Sequence, residues 1–235
     1  MVYAEDLDEK VKELATRLME RELFEEIGRI SSELAHDLRG PIQTIRNCVY
    51  LLEQDPEDLS PLAQIDDAVR HASSILDGFR EFYRGHEIFR SNTPFNSIVE
   101  HALIDVEIPS GVKVKMSLDP EVGEVSVDPT KMRRVFYNLI KNAVEAMPDG
   151  GNLTIETEDT NENIVVIVSD TGMGIPEDVR DGLFRPFGSK KRDGSGLGLP
   201  SCRRIVVAHG GEISFESADG RGTAFTVVIP KMTDA

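Results

Sequence analysis

The chain has 235 residues, enough for one large domain or two smaller ones, and it carries a formal net charge of −16. This acidic balance argues against a protein that binds the phosphate backbone of nucleic acids. The sequence has no run of eighteen apolar residues, and its start has no basic segment followed by an apolar one. We therefore expect a cytoplasmic segment without membrane contact. Two cysteines, Cys48 and Cys202, match no metal-binding spacing, and we expect both to be buried.

Apolar residues of the N-terminal segment are spaced as in a coiled coil, with charged residues on the other helix faces. The spacing repeats after a phase slip of the kind called a stutter. The predicted seam consists of Leu7, Val11, Leu14 and Leu18, followed by Leu23, Ile27, Ile30 and Leu34.

A turn and a second long helix follow this segment. Proline and aspartate in "DPEDLSP", residues 55–61, predict the turn, and apolar residues at helical spacing predict a helix from Pro61 to Arg84. Two antiparallel helices with a one-sided apolar stripe cannot bury it alone, whereas a four-helix bundle made by two chains would. We therefore expect a homodimerisation domain over residues 1–92. The alternative is a monomeric hairpin that packs against the rest of the chain.

The stretch "ELAHDLRGPIQTI", residues 33–45, combines helical spacing with residues that a plain structural helix avoids. Gly40 costs a helix interior roughly 1 kcal/mol, and Pro41 costs about 3 kcal/mol. Pro41 also frees the carbonyl four residues earlier, that of Asp37, and this predicts a kink beside His36. The cost of this pair favours a functional role for the turn that carries His36.

From Thr93 onward, β-branched and alternating stretches indicate strands mixed with helices. The predicted helices run from Pro129 to Met147 and from Leu199 to His209. The predicted strands span residues 111–118, 152–158, 163–170, 211–217 and 222–230. This pattern predicts a second domain over residues 93–235, an α+β sandwich with helices on one face of a mixed sheet.

The first helix of this sandwich carries a polar stripe of Arg134, Asn138, Asn142 and Glu145, while its other faces are apolar. Asparagines on such a helix are costly unless they meet partners. An amide oxygen is a suitable ligand for Mg²⁺, which binds phosphates while it keeps several waters. A solvated polar stripe remains the alternative interpretation.

Two glycine-rich motifs add further signals. "SDTGMGI", residues 169–175, ends a buried strand with Asp170, whose carboxylate is suited to accept a hydrogen bond from an exocyclic amine such as that of adenine. Gly172 and Gly174 in this motif would let the backbone approach a flat ring. "GSGLGLP", residues 194–200, leads into a helix, as phosphate-binding loops do. Each motif alone is weak, because ordinary turns and flexible loops use the same residues.

Taken together and in order, these motifs resemble those of the transmitter region of two-component sensor histidine kinases. "AHDLRGP" resembles the H box, "NLIKNAVEA" the N box, "DTGMGI" the G1 box, "LFRPF" the F box and "GSGLGL" the G2 box. The resemblance covers the chain from about Glu22 to Ile229. It implies a dimerisation and histidine-phosphotransfer domain followed by an ATP-binding domain of the Bergerat type.

The resemblance also implies a role for each matching residue. His36 would accept the phosphoryl group from ATP, beside Asp37, and pass it to an aspartate in the receiver domain of a response regulator. Asn142 would be the Mg²⁺ ligand, and Asp170 would bind the adenine amine. The remaining nucleotide-binding positions would be Asn138, Lys141, Gly172, Gly174, Lys191, Gly194, Gly196, Gly198 and Thr223.

Two positions depart from the family pattern. Many members have a lysine or arginine three residues after the Mg²⁺-binding asparagine, where this chain has Glu145. Phosphate charge would then be neutralised by Lys141, Lys191 or Arg192. Members with strong phosphatase activity usually have threonine or asparagine four residues after the histidine. Gly40 occupies this position, so we expect weak phosphatase activity.

Two other function classes compete with a kinase. An ATP-driven clamp of the Hsp90 kind needs a glutamate four residues before the Mg²⁺-binding asparagine, and Asn138 at that position cannot act as a base. A nucleotide-binding adaptor without turnover would be expected to lack one of the boxes, and none is missing. Acid-labile, base-stable label on the protein after incubation with labelled ATP would distinguish a kinase from both.

Overall fold

Two long helices joined by a short turn form the N-terminal part of the computed structural model. The structure describes residue 32 and residues 34–84, 88–186 and 196–231. Helix α1 covers residues 34–54, and helix α2 covers Pro61–Arg84, the predicted range. The coiled-coil positions before Leu34 lie outside the described residues.

Local hydrogen bonds close the turn between these helices, and apolar side chains pack between them. The carboxylate of Asp58 accepts a hydrogen bond of 2.9 Å from the backbone N–H of Ser60, and hydrogen bonding to Ser60 lowers the pKa of Asp58. Ala68 and Ile75 are buried on α2, and Cys48 is buried on α1, as predicted. The Sγ of Cys48 lies 3.8 Å from Gln64 Oε1.

The Gly40–Pro41 pair does not end α1, because the helix runs unbroken through both residues. Thr44 Oγ1 donates a hydrogen bond of 3.2 Å to the carbonyl oxygen of Gly40, one turn earlier. A Cβ atom added to Gly40 would have no neighbour within 4 Å. The kink expected at this turn stays a prediction.

The C-terminal unit is built on a five-stranded mixed sheet in the order β2-β4-β5-β7-β6. Its strands are β2 (Val112–Leu118), β4 (Gly151–Asp159), β5 (Asn163–Asp170), β6 (Glu212–Ser217) and β7 (Thr223–Pro230). Only β2 and β4 pair in parallel, and the other neighbouring strands are antiparallel. A separate antiparallel pair consists of β1 (Ser91–Pro94) and β3 (Glu124–Val127).

Helices α3 (Phe95–Ile104), α4 (Pro129–Glu145) and α6 (Gly198–Ala208) contribute to the core on one face of this sheet, and a short helix, α5, covers Glu177–Arg180. Alternate residues along β5 and β7 are buried, as strands with one covered face require. The predicted apolar faces of α4 are confirmed. Its buried residues are Met132, Val135, Phe136, Leu139, Ile140 and Ala143. The predicted α+β sandwich is therefore present.

The sequence did not predict α3, α5, β1 or β3. The two strands have only four residues each, too few for an alternating pattern to be recognised, and β1 contains Pro94. Helix α3 is fixed by long-range packing, since the ring of Phe95 contacts that of Phe136 edge-on at a centroid distance of 5.8 Å. Helix α4 ends at Glu145, two residues before its predicted end.

A buried histidine connects three segments of this unit. His209 is fully buried; its Nδ1 lies 2.7 Å from the carbonyl oxygen of Ile205, and its Nε2 accepts the N–H of Asp128 at 2.9 Å. The Asp128 carboxylate caps α4 through the N–H of Lys131 and also accepts the N–H of Phe89 at 3.1 Å. Because Nε2 is an acceptor, His209 is neutral with its proton on Nδ1. Burial lowers its pKa.

We predict that the stability of the C-terminal unit falls as the pH drops below about 6.5, the usual histidine pKa. Because the pKa of His209 is lowered in the native state, the unfolded chain takes up this proton at a higher pH than the folded chain does. The free energy of unfolding then falls by at most about 1.4 kcal/mol per pH unit. Urea unfolding followed by circular dichroism between pH 7 and 5.5 measures this slope. The His209→Gln variant should lose part of it, and the exposed-site control His101→Gln should retain it. An unchanged slope in His209→Gln would contradict the assignment.

Candidate functional site

Two paired strand ends bring Asp170 and Thr223 together. Asp170, the last residue of β5, is the register partner of Thr223, the first residue of β7. Both are buried, on the face of the sheet that the helices cover. The carboxylate of Asp170 accepts the N–H of Gly172 at 2.8 Å through Oδ1. The structure thus places a carboxylate with a fixed orientation at the end of β5.

The loop after Asp170 lies so close to its neighbours that it has no room for side chains at its two glycines. A Cβ atom on Gly172 would lie 2.3 Å from the carbonyl oxygen of Ala146, and one on Gly174 would lie 2.2 Å from that of Ala218. Between them, the N–H of Met173 donates to the same Ala146 carbonyl at 3.0 Å. The backbone of the loop therefore packs directly against the C-terminal end of α4 beside Asp170.

Sequence reasoning missed two residues that support this arrangement. Gly222 has a φ of +85°, and a Cβ atom on it would lie 1.9 Å from the carbonyl oxygen of Asp170. Ser217 Oγ lies 3.0 Å from Thr223 Oγ1 and accepts the N–H of Ile175 at 2.9 Å. Gly222 lies in the motif "GRGTAF", so the sequence contained a signal for a constrained backbone there. Ser217 is identified only by the pairing of β6 with β7.

Helix α4 positions the polar stripe along the same region. Asn138 and Asn142 are half-buried, while Lys141 and Glu145 are exposed and form an ion pair with a distance of 3.9 Å between Lys141 Nζ and Glu145 Oε1. The Nδ2 atom of Asn138 is buried without a hydrogen-bond partner. An unsatisfied buried amide costs about 1–3 kcal/mol, so this nitrogen marks a position suited to a bound acceptor.

The stripe also lies against the buried thiol of Cys202. Burial raises the pKa of Cys202 to about 12, and the amide of Asn138 and the guanidinium of Arg134 act in the opposite direction. Its Sγ lies 3.7 Å from the carbonyl oxygen of Val135. The predicted burial of Cys202 is confirmed, and the thiol is protonated and unreactive at neutral pH.

The predicted phosphate-binding loop, residues 194–200, is described from Gly196 onward. Gly196 has a φ of +63°, and Gly198 is the first residue of α6. A Cβ atom added to Gly198 would lie 3.8 Å from Asn138 Oδ1. The structure therefore brings Gly198 next to Asn138. Lys191 and Gly194 lie outside the described residues.

His36 and Asp37 lie in the other compact unit, which covers Met1–Leu76. The imidazole of His36 is 80% exposed, and its Nδ1 lies 3.3 Å from the Asp37 Oδ1 atom. The two neighbouring side chains thus contact each other. This contact directs Nδ1 to the carboxylate and leaves Nε2 for other partners.

The C-terminal unit matches a known family model. Residues 127–233 match the model described as "Histidine kinase-, DNA gyrase B-, and HSP90-like ATPase". The catalytic domain of the histidine kinase ThkA is 32% identical, with a TM-score of 0.55 over 61% of this chain and 96% of that domain. The chain belongs to the histidine kinase family.

Two longer relatives extend this similarity to the helical part. Sporulation kinase E of Bacillus subtilis is 29% identical over 231 residues, which cover 95% of this chain and 31% of that kinase. ThkA in complex with the response regulator protein TrrA is 27% identical, with a TM-score of 0.76 over 90% of this chain and 64% of that one. This histidine kinase chain thus spans about a third of the length of sporulation kinase E.

The described residues offer neither a cluster of metal ligands nor a membrane-spanning helix. They contain no group of three or more histidine, cysteine, aspartate or glutamate side chains arranged to hold a metal ion. None of their helices combines the length and apolarity that a membrane span requires.

We predict that Gly172→Ala weakens nucleotide binding at least tenfold, which corresponds to about 1.4 kcal/mol. The added methyl group would force the loop away from the Ala146 carbonyl and disturb the Gly172 N–H that orients the Asp170 carboxylate. Calorimetry with a non-hydrolysable ATP analogue and Mg²⁺ measures the affinity. Gly123→Ala is the matched control, because a Cβ atom there has no neighbour within 4 Å. Equal affinities for the two variants would contradict the assignment of this pocket.

Proposed function

We propose that the protein is an ATP-dependent protein-histidine kinase that phosphorylates its own His36 and passes the phosphoryl group to an aspartate of a response regulator. The observation that carries the proposal is the pairing of the exposed His36 with Asp37 in a chain whose other unit has the histidine kinase ATPase fold. The complex of ThkA with TrrA supports a receiver domain as the partner.

The geometry at His36 suits a nucleophile. When Nδ1–H donates to Asp37, the lone pair of Nε2 is available in the neutral imidazole. Nε2 attacks the γ-phosphorus of ATP, the new nitrogen–phosphorus bond forms, and ADP leaves with the electrons of the broken oxygen–phosphorus bond. The positive charge on the ring is then relieved as the Nδ1 proton moves towards the Asp37 carboxylate.

The pocket at the end of β5 suits the adenine base. Asp170 would accept the exocyclic amine, Gly172 and Gly174 would form the wall, and Thr223 would lie beneath the ring. The carboxylate orientation and the clash distances at both glycines support these roles. The phosphate end would be lined by Gly196 and Gly198, with Lys191 and Gly194 assigned from the sequence alone.

The residues on α4 fit a Mg²⁺ ion that accompanies the phosphates. Asn142 would provide an amide oxygen, and the unpartnered Asn138 nitrogen is suited to a phosphate oxygen. When bound, the ion would neutralise charge that develops on the transferred phosphoryl group. Lys141 would contribute less, since it lies within ion-pair distance of Glu145.

We further propose that residues 1–92 form the homodimerisation domain and residues 93–235 the catalytic domain. Apolar side chains seven residues apart are about half exposed on α2, namely Leu62 at 48%, Val69 at 46% and Leu76 at 49%. Ile42 and Val49 repeat this spacing on α1 and are also exposed. A second copy would bury this seam as a four-helix bundle does.

We predict that His36→Gln abolishes acid-labile labelling of the protein by ATP while nucleotide affinity is unchanged. Asp170→Asn should lose labelling by a different route, through weakened nucleotide binding, because the amide presents a donor towards the adenine amine. Labelling with radioactive ATP and calorimetry with a non-hydrolysable analogue test both variants. Residual acid-labile label on His36→Gln would overturn the assignment of the acceptor.

We also propose that the protein is a weak phosphatase towards the phosphorylated response regulator. Gly40 has no side chain to hold a water molecule one turn after His36. Its position on α1 has room for one, since an added Cβ atom has no neighbour within 4 Å.

We therefore predict that Gly40→Thr gains phosphatase activity of at least several-fold, and that Gly40→Ala, which adds a Cβ atom without a hydroxyl group, does not. The decay of purified phosphorylated regulator is followed with each variant and ADP. Rapid decay with the parent protein, or no gain in a well-folded Gly40→Thr variant, would contradict the proposal.

A further inference from the structure

Helix α6 contacts helix α4 at two points one turn apart. The thiol of Cys202 donates a hydrogen bond of 3.7 Å to the backbone carbonyl oxygen of Val135. A Cβ atom added to Gly198, four residues before Cys202, would lie 3.8 Å from the Oδ1 atom of Asn138. Residues three or four apart share one face of a helix, so the Asn138 side chain lies against the face of α6 that carries Cys202.

The amide nitrogen of Asn138 is an unsatisfied donor in this contact. Its Nδ2 atom is buried and has no hydrogen-bond partner, although a side-chain amide has two N–H bonds to donate. Burial raises the pKa of Cys202 to about 12, and the Asn138 amide is the largest of the influences that lower it. The amide is therefore close enough to the sulfur to act on it, and yet the Nδ2 atom makes no hydrogen bond.

The chemistry of sulfur explains this combination, because a thiol is a weak acceptor. The S–H group of Cys202 donates to Val135, which leaves only the sulfur lone pairs for Asn138. A hydroxyl oxygen at the same position would accept the Nδ2–H group and satisfy it before any ligand arrives. A buried donor without a partner destabilises the ligand-free protein, and an acceptor that binds removes this penalty. The weak acceptor thus preserves the binding capacity of the Asn138 nitrogen.

We propose that Cys202 is a positioning residue whose sulfur leaves the Asn138 amide nitrogen unbonded, so that a phosphate oxygen of the nucleotide is the first strong acceptor it meets. Cys202 acts through Asn138 and not by contact with the ligand, because it is 0% exposed. The inference rests on the proposed function for the identity of the ligand.

Exchange of the sulfur for oxygen tests this role in the full chain. Cys202→Ser should weaken binding of a non-hydrolysable ATP analogue with Mg²⁺ about fivefold, because the serine oxygen competes for the Asn138 N–H group. Cys202→Ala has no acceptor and should bind within about twofold of the parent. A loss of packing would produce the opposite order, since alanine leaves the larger cavity. Calorimetry measures the affinities. Cys48→Ser is the matched control, because it makes the same exchange at a buried cysteine of the helical unit.

NMR spectra of the ligand-free protein test the contact without reference to the nucleotide. The side-chain amide protons of Asn138 should move downfield in Cys202→Ser, which forms the hydrogen bond, and should not do so in Cys202→Ala. In the parent, the same downfield shift should follow only when the ATP analogue is added. In an Asn138→Ala background, Cys202→Ser should have no further effect on affinity, because its effect is transmitted by the amide.

Equal affinities of the parent and Cys202→Ser, an equal or greater loss in Cys202→Ala, or an unshifted Asn138 amide in Cys202→Ser would each overturn the proposal. Failure of the parent to bind the analogue would instead refute the proposed function. The ligand-free spectra still decide in that case whether the sulfur leaves Asn138 unbonded.

Discussion

The close approach of backbone segments around the end of β5 is the constraint on which the nucleotide pocket depends. The carbonyl group of Asp170 meets Gly222 on one side, and the loop that follows Asp170 meets Ala146 at Gly172 on the other. Neither contact leaves space for a methyl group, so close packing fixes the end of β5 and the following loop relative to the end of α4. The carboxylate of Asp170 is oriented by this packing before any ligand arrives, which lowers the ordering cost of binding.

A second constraint acts at the opposite end of α4. The Asp128 carboxylate caps this helix and accepts a hydrogen bond from the N–H of Phe89. The backbone N–H of Asp128 donates to His209. The helix that carries Asn138 and Asn142 is therefore fixed at its N-terminal end by side-chain hydrogen bonds and at its C-terminal end by a backbone contact at Ala146. This rigidity suits a reaction in which positioning and electrostatics supply most of the catalysis.

The sequence was sufficient where a local pattern determines the structure. The strand β5, the bounds of α2 and the apolar faces of α4 were predicted, because a β-branched run and helical spacing of apolar residues are both visible in the sequence. The partners of Ser217, Asp128 and His209 were not, since each is brought to its contact by pairing between elements that are distant in sequence. The site motifs were readable because they combine glycines that packing requires with polar residues that packing alone does not explain.

The distribution of the two cysteines has a practical consequence. Cys48 lies in the helical unit and Cys202 in the ATP-binding unit, and each is at most 2% exposed. A thiol-reactive reagent modifies a buried cysteine only when the surrounding structure opens. The natural sequence thus contains one reporter for each unit, and the labelling rates at the two positions would separate local opening of the helices from unfolding of the sandwich.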